Sequence, residues 1–325
     1  MTSNCLHRMS RTGQASGCLD PKVSIAMSLL LSNTAARLRP PAFRGRCLLP
    51  FALAFGLLQG GCGRVDVASV PEAPFSCKDE SWNAASVNPL RFIAHAGGEI
   101  DGLRYTNSRE ALELAYEKGL RLFEFDLIKT VDGQLVAAHD WDHWREATGS
   151  LAKEPSHREF KERLLFGKYR TLDLHDLEQW FGERTDSYLV TDKVEDFKSL
   201  TEGFTHKDRL IVEIFSVADY HRARDEGVLY PMLSLGAALT HDSEDEILEL
   251  VRTQPVKFVA VATKTIKRVE RLLDGMRHNE TCVYAFTSSE PRYLNRNLGN
   301  LIYGVYTDAW DVRAGSCAAT KCDTY

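Results

Sequence analysis

The stretch RLFEFDLIKT, residues 121–130, alternates acidic and large apolar side chains. Because successive side chains of a β-strand point to opposite faces, this pattern predicts a strand with Glu124 and Asp126 on one face and apolar side chains on the other. The apolar neighbours of each acid indicate that the strand is buried. Since buried carboxylates need a partner, the strand is both a core element and a candidate for a functional site.

Seven further β-rich runs recur along the chain, and helical stretches separate them. Strands that alternate with helices predict βαβ crossovers and a parallel sheet. Eight such strands favour an α/β fold, a single (β/α)8 TIM-type barrel domain over residues 90–312, and an open doubly wound sheet is the alternative. The predicted strands are 91–96, 122–128, 188–194, 209–216, 230–236, 257–263, 281–287 and 301–308. The predicted helices are 107–119, 172–183, 195–204, 217–227, 244–253, 264–276 and 291–297.

The first predicted helix carries its own start and stop signals. Asn107 followed by Glu110 is typical of a capping box, and Gly119 is typical of a helix C-terminus. We therefore expect the helix to begin next to Asn107.

Residues 1–61 differ in composition from the rest, with seven basic residues and one acid. An apolar run, CLLPFALAFGLLQGGC, follows the basic residues at 47–62, which is the layout of an export signal and too short to span a bilayer comfortably. Its end resembles a bacterial lipobox, in which Cys62 would be lipidated, although Gln59 stands where an aliphatic residue is usual. The alternatives are a plain secretory signal and a later start at Met27. We expect an exported protein, a lipoprotein on the periplasmic face of a bacterial membrane or otherwise soluble in the periplasm or secreted.

The charge balance argues against a nucleic-acid partner. The whole chain has 40 basic and 45 acidic residues, and removal of the signal leaves 33 and 44, a net charge near −11. Nucleic-acid binding normally requires a basic surface, so we expect no nucleic-acid partner. We also expect a monomer.

The remaining segments are a tether at 62–89, which contains three prolines, and a C-terminal tail at 313–325. In the oxidising conditions that an exported protein meets, Cys317 and Cys322 are candidates for a disulfide that closes a small loop. Cys282 lies in an apolar run and is interpreted as a buried apolar residue.

Polar side chains recur at the ends of the predicted strands, where the active sites of parallel barrels lie. Two carboxylates on one buried strand would repel each other, and a divalent cation such as Mg²⁺ or Ca²⁺ would remove that repulsion. A solvated or salt-bridged pair is the alternative for Glu124 and Asp126. His95 closes the first strand, and His139 ends a short excursion after the second with Asp140 as an orienting partner. Because histidine can give or take a proton near neutral pH, the two form a candidate acid–base pair.

These motifs resemble the glycerophosphodiester phosphodiesterase family, within the superfamily that includes phosphatidylinositol-specific phospholipase C. The resemblance covers about residues 90–312 and rests on H-x-G-G, E-x-D, T-x-D-G and H-D in this order. It implies a TIM-type barrel that hydrolyses glycerophosphodiesters or phospholipid head groups with one divalent cation. Position by position, it assigns His95 and His139 as the catalytic pair and Glu124, Asp126 and Asp192 as metal ligands.

Several positions depart from the family pattern. Ala96 stands where the family has a phosphate-binding arginine, so that positive charge must come from elsewhere or be missing. Lys193 and Lys129 are the candidates to supply it. Lys193 is one place early and should point away from the site, unless a bulge or the end of the strand at Asp192 restores it. Two further residues are candidate substrate contacts: Glu213, which binds metal, a hydroxyl or a cation, and Trp141, for which packing is the alternative.

Two other functions stay open at this point. One is a phospholipase or sphingomyelinase D-like activity that gives a cyclic phosphate, which the missing arginine at Ala96 and the aspartate at position 192 encourage. The other is a non-catalytic envelope lipoprotein that binds phosphorylated polymers on a decayed barrel.

Overall fold

The structure is a computed structural model that describes residues 73–77, 87–277 and 280–324. The predicted export signal, Met27, Cys62 and most of the predicted tether lie outside the described residues. Within the described ranges, no helix is both long and apolar enough to cross a membrane.

Eight parallel strands form a closed barrel, as predicted. The first strand pairs in parallel with the second, through Ile93 and Leu122, and with the eighth, through Phe92 and Val305, so the sheet has no open end. This closure excludes the open doubly wound sheet. In chain order the strands are Phe92–Ala94, Leu122–Lys129, Tyr188–Asp192, Leu210–Ile214, Tyr230–Ser234, Phe258–Ala262, Cys282–Phe286 and Gly304–Thr307.

The α-helices surround the barrel and include elements that the sequence did not predict. In the predicted positions lie Arg109–Glu117, Leu174–Glu183, Phe197–Gly203, Val217–Asp225, Glu244–Thr253, Glu270–Arg277 and Pro291–Asn297. The helix predicted over 264–276 is instead a 3₁₀ segment, Thr263–Arg268, followed by the α-helix. The additional helices are Trp141–Thr148, His157–Glu162 and Leu235–His241, with 3₁₀ turns at Pro89–Arg91, His95–Gly97 and Lys207–Arg209.

The start of the first helix differs from the predicted capping box. The N-cap is Ser108, whose hydroxyl accepts a hydrogen bond from the Ala111 N–H at 3.3 Å. Asn107 is buried and has a positive φ of 48°, and its side chain bonds a barrel strand instead. Gly119, with φ of 90°, follows the helix end as predicted.

The second strand shows the predicted alternation. Phe123 packs outward against Trp180 of a surrounding helix, with ring centroids 5.2 Å apart, and Phe125 and Leu127 belong to the same outer apolar layer. A separate apolar cluster fills the barrel interior. Glu124 and Asp126 therefore point inward, close to the carboxyl-terminal end of the barrel.

An insertion follows the second strand and brings His139 to the barrel mouth. A short strand, Leu135–Ala137, pairs antiparallel with the end of the second strand, and the Ala138 N–H donates to the Asp126 carbonyl at 2.9 Å. The insertion continues through two helices and a two-stranded ribbon, Leu164–Leu165 with Tyr169–Arg170.

Part of the predicted tether is fixed to the barrel. Cys77 forms a disulfide with Cys282 of the seventh strand, so Cys282 is not simply a buried apolar residue. Phe75 packs against Tyr188 and Phe258, the first residues of two strands, with ring centroids 5.3 and 5.4 Å away. Residues 73–77 thus lie against the amino-terminal end of the barrel. The sequence could not reveal the pairing, because the two cysteines are 205 positions apart.

The C-terminal tail is also ordered against the barrel. Cys317 and Cys322 form a disulfide, as the sequence analysis predicted. The short strand Ser316–Cys317 pairs with Trp310–Asp311, and the Ser289 N–H donates to the Asp323 carbonyl at 2.8 Å.

Candidate active site

His95 lies directly after the first strand and is held by a buried carboxylate. Its Nδ1 donates to Asp308 Oδ1 at 2.9 Å, and Asp308 follows the eighth strand, which neighbours the first. A carboxylate at Nδ1 fixes the ring orientation and tautomer, so Nε2 is the nitrogen available to a substrate. Asp308 was not predicted as a site residue, although its place at the end of the predicted strand 301–308 was a usable signal.

His139 has the same arrangement on the other side of the pocket. Its Nδ1 lies 2.7 Å from Asp140 Oδ2, the orienting partner that the sequence suggested. Asp140 also caps the helix Trp141–Thr148 by accepting from the His143 N–H at 2.7 Å. Because the helix fixes Asp140, it also fixes the imidazole that Asp140 holds.

Glu124, Asp126 and Asp192 come together as predicted, with one oxygen of each within 4.8 Å of the others. Two of the three carboxylates also accept hydrogen bonds from neighbouring groups. Glu124 Oε2 accepts from the Ala96 N–H at 2.7 Å, and the Asn107 side chain donates to Asp126 Oδ2 at 2.9 Å.

One atom of this cluster tests whether a cation fits. Asp192 Oδ1 is buried and has no hydrogen-bond partner among the described residues. A buried carboxylate oxygen normally has a partner, and three carboxylate oxygens at this spacing are the donor set that Mg²⁺ and Ca²⁺ prefer. The cluster therefore fits a hard divalent cation.

The charges of the cluster are poorly balanced by protein groups. Burial raises the pKa of Glu124 well above its usual value, and the charges of Asp126 and Asp192 raise it further. Burial, with Asp126 and Glu213, likewise raises the pKa of Asp192. For Asp126 burial acts in the same direction, but the Lys193 ammonium, together with the hydrogen bond from Asn107, outweighs it and lowers the pKa. The described residues of the site therefore hold more negative charge than the one ammonium among them neutralises.

That ammonium belongs to Lys193, which enters the pocket. The strand ends at Asp192, and Lys193 adopts a left-handed φ of 59°, so strand alternation no longer directs its side chain outward. Its Nζ lies 2.6 Å from Asp126 Oδ1 and donates to the His139 carbonyl at 2.6 Å. Of the two conditions under which the sequence allowed this lysine into the site, the early strand end is the one observed.

Glu213 is partly buried beside the three carboxylates but is bonded to hydroxyl groups. Its Oε2 accepts from the Tyr306 hydroxyl at 2.9 Å. Burial raises the pKa of Glu213, while hydrogen bonds from Ser234 and Tyr306 oppose the shift. This hydroxyl belongs to the protein itself, so the roles of Glu213 toward a substrate or a metal stay predictions.

Lys129 and Trp141 do not line this pocket. Lys129 shares the outward phase of Phe125 and Leu127, and its Nζ bonds Asp196 at 2.7 Å. Trp141 is in the first turn of its helix and packs against Phe160, with ring centroids 6.3 Å apart. Strand phase and helix packing therefore direct both side chains elsewhere.

The pocket at the barrel mouth has a volume of about 260 Å³. A groove of about 750 Å³ adjoins it and shares Lys193, Glu213 and Phe215 with it. Lys129 lies in this groove rather than in the pocket. The pocket is lined by His95, Glu124, Asp126, His139, Asp192, Lys193, Glu213, Phe215, Ser234, Phe286 and Tyr306.

No protein-family model matches the chain. Mouse lysophospholipase D GDPD3 is 31% identical over 107 residues, which are 33% of this chain and 31% of the relative. The chain thus spans about a third of the length of the curated relative it matches.

Solved structures share the barrel over most of their length. The glycerophosphodiester phosphodiesterase of Thermotoga maritima is 21% identical with a TM-score of 0.54, covering 69% of this chain and 96% of its own. A glycerophosphodiester phosphodiesterase of Parabacteroides distasonis is 18% identical with a TM-score of 0.53, covering 67% of this chain and 92% of its own. An Oleispira antarctica phosphodiesterase, in complex with the product sn-glycerol-3-phosphate, is 16% identical with a TM-score of 0.54, covering 69% of this chain and 94% of its own. The chain therefore has the fold that these phosphodiesterases have, as the sequence motifs implied.

Proposed function

We propose that the protein is a metal-dependent phosphodiesterase that hydrolyses glycerophosphodiesters to an alcohol and glycerol phosphate. One observation carries the proposal: two imidazoles, each held at Nδ1 by a carboxylate, line the same pocket as three clustered carboxylates. Phosphodiester cleavage needs a proton removed from the attacking oxygen and another delivered to the leaving oxygen. His95 and His139 supply a base and an acid for these two transfers.

Glu124, Asp126 and Asp192 would hold the divalent cation, Mg²⁺ or Ca²⁺. When bound, the cation supplies charge stabilisation for the phosphate oxygens. Lys193 is the one lysine or arginine among the described residues that line the pocket. It supplies the positive charge that an arginine at position 96 would otherwise provide. Its ammonium binds and orients the phosphate from the side of Asp126 and His139.

The adjoining groove would hold the part of the substrate beyond the phosphate. Its walls include apolar side chains such as Leu135 and Phe197, and its rim carries the ion pairs of Lys129 with Asp196 and of Arg222 with Asp219. A space of this size suits a head group or a larger alcohol. The names of the similar structures, one of them with bound sn-glycerol-3-phosphate, support a glycerol-linked diester.

A substrate panel tests the proposal. Glycerophosphocholine, glycerophosphoethanolamine, glycerophosphoglycerol and lysophosphatidylcholine are incubated with Mg²⁺, Ca²⁺ or EDTA, and release of alcohol and phosphate monoester is measured. We expect turnover that EDTA abolishes and that is lost in His139→Ala. The absence of turnover of every diester with either metal would contradict the proposal.

The second candidate, a phospholipase or sphingomyelinase D-like reaction with a cyclic product, is favoured by the size of the groove and by the name of the mouse relative. Phosphorus NMR distinguishes the two, because a five-membered cyclic phosphate and a monoester have well separated resonances. A non-catalytic polymer-binding lipoprotein is less favoured, because both imidazoles have their orienting carboxylates.

We also propose that the protein is exported and anchored to the periplasmic face of a membrane by a lipid on Cys62. The basic residues, the apolar run and the lipobox-like end of residues 1–62 support this location. Mass spectrometry of the mature N-terminus tests it: a diacylated Cys62 is expected, and a free N-terminus at another residue would refute the anchor.

A further inference from the structure

Tyr105 lies between the two imidazoles. Its ring centroid is 4.9 Å from that of His95 and 5.1 Å from that of His139, with interplanar angles of 79° and 69°. Edge-to-face contacts of this kind are favourable and directional. Each imidazole is therefore held at Nδ1 by a carboxylate and along its ring by the same tyrosine.

The backbone at Tyr105 is strained. Its φ of 58° is in the left-handed region, which bulky side chains rarely adopt. Strained conformations persist where the surroundings over-determine them, and they cluster at functional sites. Tyr105 is only partly buried and belongs to none of the apolar clusters of the described residues, so burial of its ring in the core does not account for the strain.

The loop that carries Tyr105 is fixed at both ends. On one side Arg104 pairs with Glu99 at 3.0 Å and with Asp308, the partner of His95, at 3.5 Å. On the other side Asn107 donates to Asp126 Oδ2 and accepts from the Asp126 N–H at 3.1 Å. The same contacts that complete the site therefore place the tyrosine ring between the histidines.

We propose that Tyr105 is a positioning residue that sets the separation and ring planes of His95 and His139. The inference rests on the proposed function, and it assigns the effect to the aromatic ring rather than to the hydroxyl group. Because proton transfer in the transition state depends on sub-ångström placement, loss of the ring should act on kcat more than on KM.

Four variants test the proposal. Tyr105→Phe keeps the ring, Tyr105→Ala removes it, and Tyr105→Asn removes it while placing a residue that tolerates the left-handed region. Phe166→Asn is the matched control, because Phe166 has a similar φ of 53° but lies at the tip of an exposed ribbon. Glycerophosphodiester turnover, thermal midpoints and the imidazole proton resonances are measured for each.

We expect Tyr105→Phe to keep kcat within about threefold, and the Ala and Asn variants to lose about 10- to 100-fold in kcat with KM within about threefold. Tyr105→Asn and Phe166→Asn should keep the thermal midpoint within about 2 °C of the parent or raise it, because both relieve strain. Equal losses of kcat in the Phe and Ala variants would overturn the proposal and assign the role to the hydroxyl group. A normal kcat in the Ala variant would overturn the proposal, because neither the ring nor the hydroxyl would then be needed. A fall in Tm of Tyr105→Asn that matches its loss of activity would make the ring merely structural.

The NMR measurement does not depend on turnover. The ring current of Tyr105 should shift the carbon-bound protons of both imidazoles, and these shifts should disappear in Tyr105→Ala and persist in Tyr105→Phe. If the parent shows no activity but the resonances behave in this way, the proposed function fails while the placement of Tyr105 stands. Unchanged resonances in Tyr105→Ala would overturn the placement itself.

Discussion

Replacement of Glu124 by glutamine should have opposite effects on stability without and with a divalent cation. The substitution keeps the side-chain oxygen that accepts from the Ala96 N–H, because glutamine also carries a carbonyl oxygen at this position. It removes one of three carboxylates whose facing oxygens lie within 4.8 Å of one another. The substitution therefore removes one negative charge from the cluster and replaces one carboxylate oxygen with an amide NH₂ donor.

The magnitude follows from the geometry. At 4.8 Å and an effective dielectric constant of about 20, each ionised pair repels by about 3.5 kcal/mol. Part of this is avoided because the raised pKa of Glu124, which burial and its two acidic neighbours cause, lets the group take up a proton. We therefore expect Glu124→Gln to stabilise the metal-free protein by about 1–3 kcal/mol, or about 2–12 °C in Tm.

With the cation the order should reverse. A ligand at 1,000 times its Kd stabilises the folded state by about 4.1 kcal/mol, which exceeds the advantage of the variant without metal and is about 8–16 °C for a domain of this size. Glu124→Gln lacks one ligand and should gain much less. Thermal unfolding in EDTA and in a series of Ca²⁺ and Mg²⁺ concentrations measures both effects, with Glu117→Gln, an exposed acid on a helix, as the matched control.

Two results would refute this reasoning. A Glu124→Gln variant that is less stable than the parent in EDTA would mean that the carboxylate is stabilised by protein groups alone. A variant that gains as much from Ca²⁺ as the parent would place the cation elsewhere.

Three further predictions follow from contacts in and below the site. His139→Ala should lower kcat by about 10²- to 10⁴-fold while keeping the Ca²⁺-induced rise in Tm, because the imidazole is not part of the carboxylate cluster, and a loss of both would contradict this. Lys193→Met should lower kcat/KM and make Tm depend more steeply on Ca²⁺, since Asp126 loses its counter-charge. Cys77→Ser should lower the free energy of unfolding by about 5 kcal/mol, because its disulfide joins residues 205 positions apart, whereas Cys322→Ser, with a separation of 5, should lower it by about 2 kcal/mol. Urea unfolding measures both losses, and equal losses would refute the account by loop length.

The barrel was predictable because strand alternation is a local property. The run 188–194 contains the strand Tyr188–Asp192, and the two carboxylates of the second strand share a face because they are two positions apart. The helix Leu235–His241 was not predicted, because it follows directly on the strand that ends at Ser234. No turn residues separate the two elements, so the sequence shows no boundary between them.

The partners of the predicted site residues were harder to find. Asp308 and His95 are 213 positions apart and meet only because the eighth strand closes against the first. Asn107 has a local signal for a helix cap, but the next residue takes that role and leaves the amide to bond Asp126. In both cases tertiary contacts, rather than local propensity, decide which group the side chain bonds.

The left-handed residues bear on whether the barrel is an enzyme or a decayed binding protein. Seven non-glycine residues of the described part have positive φ, and four of them border the site: Ala96, Tyr105, Asn107 and Lys193. A left-handed backbone conformation costs of order 1–3 kcal/mol for a residue other than glycine. Because none of the four residues is a glycine, the sequence gives no sign of these conformations. Each one directs a group at the site, namely an N–H to Glu124, a ring to the two imidazoles, an amide to Asp126 and an ammonium to the same carboxylate. A protein that only binds polymers gains nothing from strain that aligns proton-transfer groups with a carboxylate cluster, so the distribution of strain favours catalysis.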